Sequence, residues 1–336
     1  MRTVSIKDIA AYTHLSKSTV SRVITNNGYV SEEKRRIVED AIRDLNYRPN
    51  LLARSLVQNQ SRTLGVCVPF LNTPFFTNLM DGIESTAEHL GYDVVICHTR
   101  ERVSLEEKSL CRMIDRRVDG LLVIPVDPKG GRIGSIIGTT PTVFLVRRPS
   151  EMQHISSVTA DDYHASRRAL ECLLQKGHRN IGIIRGPLEL STMRDRWQAA
   201  QDVLREYGVS PDGRCIQCAD LNFESSHCAA QRLLRETPRP TAICALHYWG
   251  CAGVMREVQL LGIRIPEDLS FSSFEIFDDW NDLLPINITS NRYPTRQMGE
   301  MSVELLQRII QDAQHQPEHI QLSLEFRERS SVACLH

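Results

Sequence analysis

From Thr63 onward, short apolar runs of strand length alternate with stretches of helical periodicity, and this alternation restricts the fold more than any other feature. Leu64–Val68, Gly120–Pro125 and Ile181–Ile184 are typical of the seven runs, and Phe76–Leu90 is typical of the stretches between them. Near-continuous apolar strands joined by helices indicate a parallel sheet covered on both faces. Seven strands are too many for one compact doubly wound domain of ordinary size. The sequence therefore predicts two doubly wound lobes. A ligand site is expected in the cleft between them, at the carboxyl ends of the strands.

Residues 1–47 show a different pattern, that of three short amphipathic helices. Ser5 and Ser16 stand where N-caps of the first two helices are expected, and Val20 and Val23 form the inward face of the second. The outward face of the second helix is short, polar and cationic, which suits the major groove of DNA, although a solvated helix face gives the same pattern. This face carries Lys17, Ser18, Thr19, Ser21 and Arg22.

The charge distribution supports a polyanionic partner for the N-terminal segment. Residues 1–62 contain eleven Lys and Arg against six Asp and Glu, whereas the whole chain has a net charge of −1. No apolar run approaches the roughly 18 residues that span a membrane, and no apolar signal region opens the chain. The sequence therefore predicts a cytoplasmic protein without membrane contact, whose ten cysteines are reduced.

An extended breaker separates the helical segment from the body. Residues 46–50 read Asn-Tyr-Arg-Pro-Asn, and the short leucine-bearing segment that follows is too short to persist as an isolated helix. The predicted domains are 1–47, a hinge at 48–61, and a body at 62–336. Within the body, the first lobe is expected at about 62–161 and 292–318. The second lobe is expected at about 162–291 and 319–336.

The sequence resembles the LacI/GalR family of bacterial transcription regulators over nearly its whole length. The matching motifs are Ser16–Val23 (Ser-Lys-Ser-Thr-Val-Ser-Arg-Val), Leu45–Asn50, Ala53–Leu56, Asn72–Phe76 and Gly177–Ile181. The resemblance implies an all-α helix-turn-helix headpiece and an α/β body like periplasmic binding proteins. It also implies a homodimer that binds double-stranded operator DNA and is controlled by a small-molecule effector between two lobes. Such a regulator would be associated with the bacterial nucleoid when bound.

The resemblance also implies roles for individual residues in DNA binding. Lys17 and Ser18 match the positions that discriminate between operators, and Arg22 matches an arginine that reads a base edge. Leu56 matches the residue that wedges into the central minor-groove step, within a hinge that folds when two copies meet on DNA. The remaining expected contacts, most of them to phosphates, are Ser16, Thr19, Ser21, Asn26, Tyr47, Asn50 and Ala53.

An effector pocket follows from the same resemblance, with departures from the family pattern. Arg196 matches an effector-clamping arginine, and Val146 stands where the family often has Asp. Loss of polar partners argues against an ordinary neutral sugar, because buried polar groups give most of the discrimination. A phosphorylated sugar, a glycoside with an apolar aglycone, or no small ligand remain as alternatives. The predicted pocket residues are Phe75, Phe76, Arg147, Thr192, Arg196, Leu221, His247, Tyr248 and Glu275.

Other motifs do not indicate catalysis or a cofactor. Cys215 and Cys218 form a Cys-x-x-Cys pair, but the adjacent His227 and Cys228 do not have the spacing of a zinc site. No nucleophile elbow occurs in the sequence. We therefore predict a non-enzymatic repressor of a carbohydrate-utilisation operon without cofactor or metal. The alternative is a sugar-binding protein without a role on DNA.

Overall fold

The computed structural model describes residues 4–25, 28–47, 60–210, 215–312 and 314–335. The chain divides into two compact units, residues 1–61 and 62–336. No helix in the described residues combines the length and apolar character needed to cross a membrane.

The described residues of the first unit form three helices, α1 (Ile6–Thr13), α2 (Lys17–Thr25) and α3 (Glu32–Asp44). The Asp8 carboxylate accepts hydrogen bonds from the backbone N–H and the hydroxyl of Ser5, which closes the start of α1. The Ser16 hydroxyl accepts the Thr19 N–H at 3.1 Å and caps α2 as predicted. The apolar faces of the three helices meet in a small core that contains Ile9, Val20, Val23, Val38 and Ala41.

In the second unit, the first lobe is built on a parallel six-stranded sheet of order β11-β5-β4-β3-β1-β2. The strands are β1 (Thr63–Val68), β2 (Asp93–His98), β3 (Gly120–Val123), β4 (Thr142–Leu145), β5 (Ser156–Ala160) and β11 (His319–Leu322). Its helices are α4 (Pro74–His89), α5 (Val103–Asp115), α6 (Ile133–Ile137) and α12 (Thr295–Gln311). Buried aliphatic side chains on both faces of the sheet account for the continuous apolar strands.

The second lobe repeats this arrangement in a sheet of order β12-β10-β9-β8-β6-β7, in which only β12 is antiparallel. Its strands are β6 (Ile181–Arg185), β7 (Ile216–Cys218), β8 (Ala242–Ala245), β9 (Ser270–Glu275), β10 (Thr289–Arg292) and β12 (Glu325–Arg327). Its helices are α7 (Asp162–Gln175), α8 (Ser191–Glu206), α9 (Phe223–Arg235), α10 (Tyr248–Leu261) and α11 (Asp278–Asn281). The predicted pair of doubly wound lobes is therefore confirmed.

The chain passes between the lobes three times: after β5, after β10, and between β11 and β12. The third passage corrects the sequence analysis, which assigned residues 319–336 to the second lobe. His319–Leu322 pairs with Ser157–Ala160 of β5 in the first sheet, and only from Glu325 does the chain join the second. One apparent strand near the C-terminus is thus two short strands, because the chain changes sheets within three residues.

Two glycines allow α4 and α12 to pack closely in the first lobe. A Cβ atom built on Gly82 would clash with the backbone carbonyl of Arg296, and one built on Gly299 would clash with that of Leu79. Only residues without a side chain permit this approach of two helix backbones. The first turn of α4, which carries Phe75 and Phe76, is held by this packing.

Candidate functional site

Helix α2 separates its predicted outward and inward residues as the periodicity indicated. Ser16, Lys17, Ser18 and Arg22 are exposed, and Thr19 and Ser21 are half-buried, whereas the two valines of α2 lie in the core. Hydroxyl and cationic groups are therefore presented together at the start of a helix, where base edges and phosphates can be reached.

Tyr47 is less well placed for its predicted phosphate contact. It is only 8% exposed and belongs to the core of the first unit, so little of its surface is available to a ligand. The ring of Tyr47 therefore contributes to packing of the core rather than to a phosphate contact. The other predicted contacts, Asn26, Asn50, Ala53 and Leu56, lie outside the described residues, as does most of the hinge at 48–61.

All nine predicted effector side chains line one cavity of about 90 Å³ between the two sheets of the body. They follow the carboxyl ends of parallel strands: the two phenylalanines after β1, Arg147 after β4, Arg196 on the helix after β6, and His247 after β8. In a doubly wound sheet this edge is where loops converge and ligands bind. The lining is completed by Phe70, Thr73, Glu101, Val146, Met193 and Trp249.

Arg196 is fixed in position by three contacts on the second lobe. Its Nε donates to Oδ1 of Asp162 at 2.7 Å, and its Nη1 donates to the carbonyl of Leu246 at 2.9 Å. Its guanidinium carbon lies 3.4 Å from the ring centroid of Phe274. Burial raises the pKa of Asp162 to about 6, although the charge of Arg196 opposes this shift. A buried pair of this kind holds the guanidinium plane rigidly against the cavity.

Arg147 plays the corresponding part on the first lobe. It forms a bidentate pair with Glu101, with Nη1 to Oε2 at 3.0 Å and Nη2 to Oε1 at 2.8 Å. Its Nε is buried and has no hydrogen-bond partner among the described residues. Both cavity arginines, Arg147 and Arg196, are thus already paired with protein carboxylates, so neither is left as an uncompensated cation for an anionic ligand.

His247 is neutral and offers a defined donor. It caps α10, because its Nδ1 accepts the Gly250 N–H at 3.1 Å. Burial, together with the nearby charge of Arg196, lowers the pKa of the imidazole to about 3. With Nδ1 acting as an acceptor, the proton of the neutral ring is on Nε2, which is buried and has no partner in the described chain.

Glu275 supplies the complementary acceptor at the end of β9. Burial raises the pKa of this carboxyl, and repulsion by Asp162 adds to the shift, while the charge of Arg196 opposes it. Its Oε2 has no partner among the residues that the structure describes. The cavity therefore contains unsatisfied donors on Arg147 and His247 and an unsatisfied acceptor on Glu275, and a hydroxyl-bearing ligand would satisfy such groups.

An aromatic wall closes the first-lobe side of the cavity. The rings of Phe75 and Phe76 meet edge to face with centroids 5.1 Å apart, and Phe75 meets Tyr293 in the same way at 5.1 Å. Phe70 lies 6.5 Å from Phe76. This wall gives the cavity an apolar face opposite its hydrogen-bonding groups.

Sequence reasoning missed Glu101 and Asp162, the carboxylates that fix the two arginines. Glu101 follows β2 and could have been found by extending the strand-end argument to the loop after that strand. Asp162 begins helix α7, directly after the first passage between the lobes. Its pairing with Arg196 joins residues 34 positions apart, which no local pattern encodes.

A helical unit with a polar recognition face and a two-lobed body with an interlobe cavity define a ligand-responsive DNA-binding protein. Comparison with known proteins agrees with this class. Residues 5–50 match the family described as bacterial regulatory proteins, lacI family, and residues 170–332 match a periplasmic binding protein-like domain.

Similar proteins extend the match over nearly the whole chain. The ribose operon repressor of Halalkalibacterium halodurans is 32% identical over 302 residues, 90% of this chain and 89% of that protein. The HTH-type transcriptional repressor PurR of Aliivibrio salmonicida is 28% identical over 98% of each chain. The crystal structure of the lac repressor dimer bound to operator and the anti-inducer ONPF matches with a TM-score of 0.89 and 26% identity, over 99% of this chain and 100% of that one.

This chain belongs to the lacI family of bacterial regulatory proteins. It is a DNA-binding transcriptional repressor with an effector-binding body, and the predicted family and function class are confirmed.

Proposed function

We propose that the protein represses a carbohydrate-utilisation operon as a homodimer, and that a small effector bound between the lobes controls its hold on operator DNA. The observation that carries the proposal is the convergence of all nine predicted side chains on one cavity, in a chain whose α2 exposes Lys17 and Arg22. Two related repressors of ribose operons support the carbohydrate assignment. The operator-bound dimer of the lac repressor supports the assembly.

In this proposal, DNA binding by the first unit and effector binding by the body are coupled through the hinge at residues 48–61. Ordering a hinge segment costs roughly 1–2 kcal/mol of backbone entropy per residue. A body that separates the two hinge copies by even a small movement therefore weakens operator binding. The effector acts by favouring one relative position of the lobes, since it contacts both.

Charge favours a neutral effector over a phosphorylated sugar. The cavity lining contains Arg147, Arg196, Glu101 and Glu275, and Asp162 lies against Arg196. A phosphate dianion entering this site would meet two arginines that are already paired with carboxylates, and it would be repelled by the further carboxylate of Glu275. Hydroxyl groups, in contrast, match the unsatisfied donors and acceptor without adding charge.

Replacing Arg22 by alanine is expected to weaken binding to the preferred operator by about 1–3 kcal/mol and to reduce discrimination among sequences. Lys17→Ala is expected to change which sequences are preferred. An electrophoretic mobility-shift series on genomic fragments measures both effects. Lys108→Ala is the matched control, because this exposed lysine on α5 removes the same charge from the body. Equal binding by the three variants at moderate salt would refute the proposed DNA face.

Effector affinity is expected to fall as the pH drops through about 6. The Asp162 carboxyl, with its pKa raised to about 6 by burial, then takes up a proton and releases its hold on Arg196. The pKa of His247, about 3, excludes the imidazole as the source of this change. The linkage to stability has the opposite sign. A raised carboxyl pKa favours the folded state at low pH, and this contribution is lost as the pH rises through about 6.

Isothermal titration from pH 5 to 7.5 tests this expectation, with Asp162→Asn as the comparison. The variant is expected to bind weakly and with little dependence on pH. A pH profile unchanged in Asp162→Asn would assign the titration to another group, such as Glu275.

A further inference from the structure

The carboxyl end of α5 carries a group of cations that the interlobe cavity does not use. Arg112 lies in the last turn of the helix, and Arg116 and Arg117 directly follow its last residue. All three side chains are exposed, and none forms a hydrogen bond or an ion pair with the described part of the chain. Like charges one turn apart repel each other, so the pairing of Arg112 with Arg116 works against the stability of α5. We call these three residues the arginine cluster.

Nearby negative charge does not balance the arginine cluster. Asp115, exposed between Arg112 and Arg116, supplies one carboxylate. The end of the helix dipole is equivalent to about half a negative charge, so the three cations leave an excess of about 1.5 positive charges. The body is acidic as a whole: residues 1–62 have eleven Lys and Arg against six Asp and Glu in a chain of net charge −1, so the rest has a net charge of −6. A cationic surface on an acidic body is suited to a polyanionic partner.

The arginine cluster lies at the edge of the first sheet where the chain enters the body. Arg62 is the first residue of the body, and its backbone N–H donates to the carboxylate of Asp119 at 2.9 Å. The Asp119 N–H donates in turn to the Thr63 carbonyl at 2.8 Å. Asp119 is only two residues after Arg117, so the end of α5 and the start of β1 are adjacent. The carboxylates of Asp119 and Asp93 lie beside the start of β1 and offset the charge of Arg62, which is therefore not counted in the cluster.

Arg117 occupies a backbone position that favours glycine. Its φ is +55°, and its N–H donates to the Ile114 carbonyl at 2.8 Å, which closes the end of α5. Helices often end with one residue in this left-handed conformation, and that residue is usually glycine because a Cβ atom is unfavourable there. Backbone strain of this kind is concentrated at functional sites. An arginine at this position therefore indicates a role for its charge rather than for folding.

The length of the hinge limits how far this edge of the body can be from bound DNA. Leu56 is the residue expected to wedge into the minor groove, and the six residues from Leu56 to Arg62 span at most about 22 Å. The phosphates at the rim of a minor groove stand about 7.5 Å above its floor. Arg62 is therefore expected within about 15 Å of the nearest phosphates, less than two screening lengths at 0.1 M salt. Cations at this edge thus lie within the electrostatic field of the duplex.

We propose that the arginine cluster is a second DNA-contacting surface, on the body, which binds backbone phosphates of the operator beside the hinge. This inference rests on the proposed function, because the hinge must first hold the body over duplex DNA. Phosphate contacts add affinity without reading sequence. The cluster is therefore expected to strengthen binding to every variant of the operator by a similar factor and to steepen the dependence of binding on salt.

Mobility-shift titrations of the full-length protein test this surface between about 50 and 200 mM salt, on the genomic fragment that the wild-type protein prefers. Arg116→Gln and Arg117→Gly are each expected to reduce the slope of log affinity against log salt concentration by about 1–2, which is about one for each subunit of the proposed dimer. This change corresponds to an affinity about 8–60-fold lower at 0.1 M salt, with little difference near 1 M. Single-base variants of the fragment are expected to lose affinity by the same factor.

Three further variants separate DNA binding from folding. Glycine suits the left-handed position of Arg117, so Arg117→Gly is expected to leave the unfolding midpoint unchanged or higher while binding weakens. Arg117→Lys keeps the charge and is expected to bind as the wild-type protein does. Arg112→Gln, one turn further from the edge, is expected to have an intermediate effect. Lys108→Ala is the control without effect, because this exposed lysine lies eight residues before Arg116, about 12 Å along α5 and beyond the screening length of about 10 Å.

The proposal is overturned if the slope is unchanged in both Arg116→Gln and Arg117→Gly, or if Lys108→Ala changes it as much as they do. An unchanged slope would leave an acidic protein surface as the partner of the arginine cluster. A preferred fragment bound with an unchanged slope refutes this inference alone. A wild-type protein that prefers no fragment refutes the proposed function and this inference together.

Discussion

Arg196→Ala is expected to abolish the response to effector and to destabilise the body by about 3–5 kcal/mol. The substitution removes the partner of Asp162, a carboxylate that is only 3% exposed, and leaves a carbonyl at Leu246 without its donor. It also removes the guanidinium that stacks on Phe274. Thermal or denaturant unfolding measures the loss of stability, and a ligand-induced shift in the same assay measures the loss of response.

A second variant separates these two effects. Asp162→Asn combined with Arg196→Ala removes the buried charge together with its partner, so much of the lost stability is expected to return while the response stays absent. Arg205→Ala serves as the control, because this arginine lies on the same helix in an exposed ion pair with Asp202. Such pairs contribute at most about 1 kcal/mol. A normal effector response in the Arg196→Ala protein would show that the ligand binds elsewhere.

Gly82→Ala is expected to lower the stability of the first lobe by about 1–3 kcal/mol or more, because the new methyl group would clash with the Arg296 carbonyl. Backbone cannot move aside as a flexible side chain can, so α4 and α12 must separate. The aromatic wall on the first turn of α4 would shift with the helix. We therefore expect weaker effector binding as well as a lower unfolding midpoint.

Gly134→Ala provides the matched control for this substitution. Gly134 is also helical, but its added Cβ would lie 3.4 Å from the terminal methyl carbon of Met152, an ordinary contact with a flexible side chain. Alanine has the higher helix propensity, by about 1 kcal/mol. Unfolding followed by circular dichroism should thus show no loss, or a small gain, for Gly134→Ala. Equal destabilisation by both substitutions would contradict the close-packing argument.

The elements of the fold could be predicted wherever one periodicity continued long enough to be read. Apolar runs such as Leu64–Val68 identify central parallel strands because both faces of the sheet are covered. The last strands could not be assigned to their lobes in this way. His319–Leu322 has alternating exposure, and Glu325–Arg327 has three residues, so their partners are set by distant strands rather than by local pattern.

The lining of the cleft could be predicted better than its electrostatics. The resemblance to the family predicted that Arg147 and His247 lie in one pocket, and the alternation of strands and helices predicted a cleft at the strand ends. The protonation states and ion pairs of these residues could not be predicted from the sequence. The neutral state of His247 depends on its burial and on Arg196, and the compensation of Arg147 depends on Glu101, 46 residues away. These properties belong to the three-dimensional arrangement alone.

The pairing of each cleft arginine with a carboxylate of its own lobe has a consequence for how the repressor behaves in cells. The proposed neutral effector would displace no counterions from such an internally compensated site, so its affinity is expected to be nearly independent of ionic strength. The affinity for operator DNA, in contrast, falls steeply as the salt concentration rises, because phosphate contacts release counterions. A rise in salt is therefore expected to weaken repression while leaving the affinity of the proposed effector for the free repressor nearly unchanged.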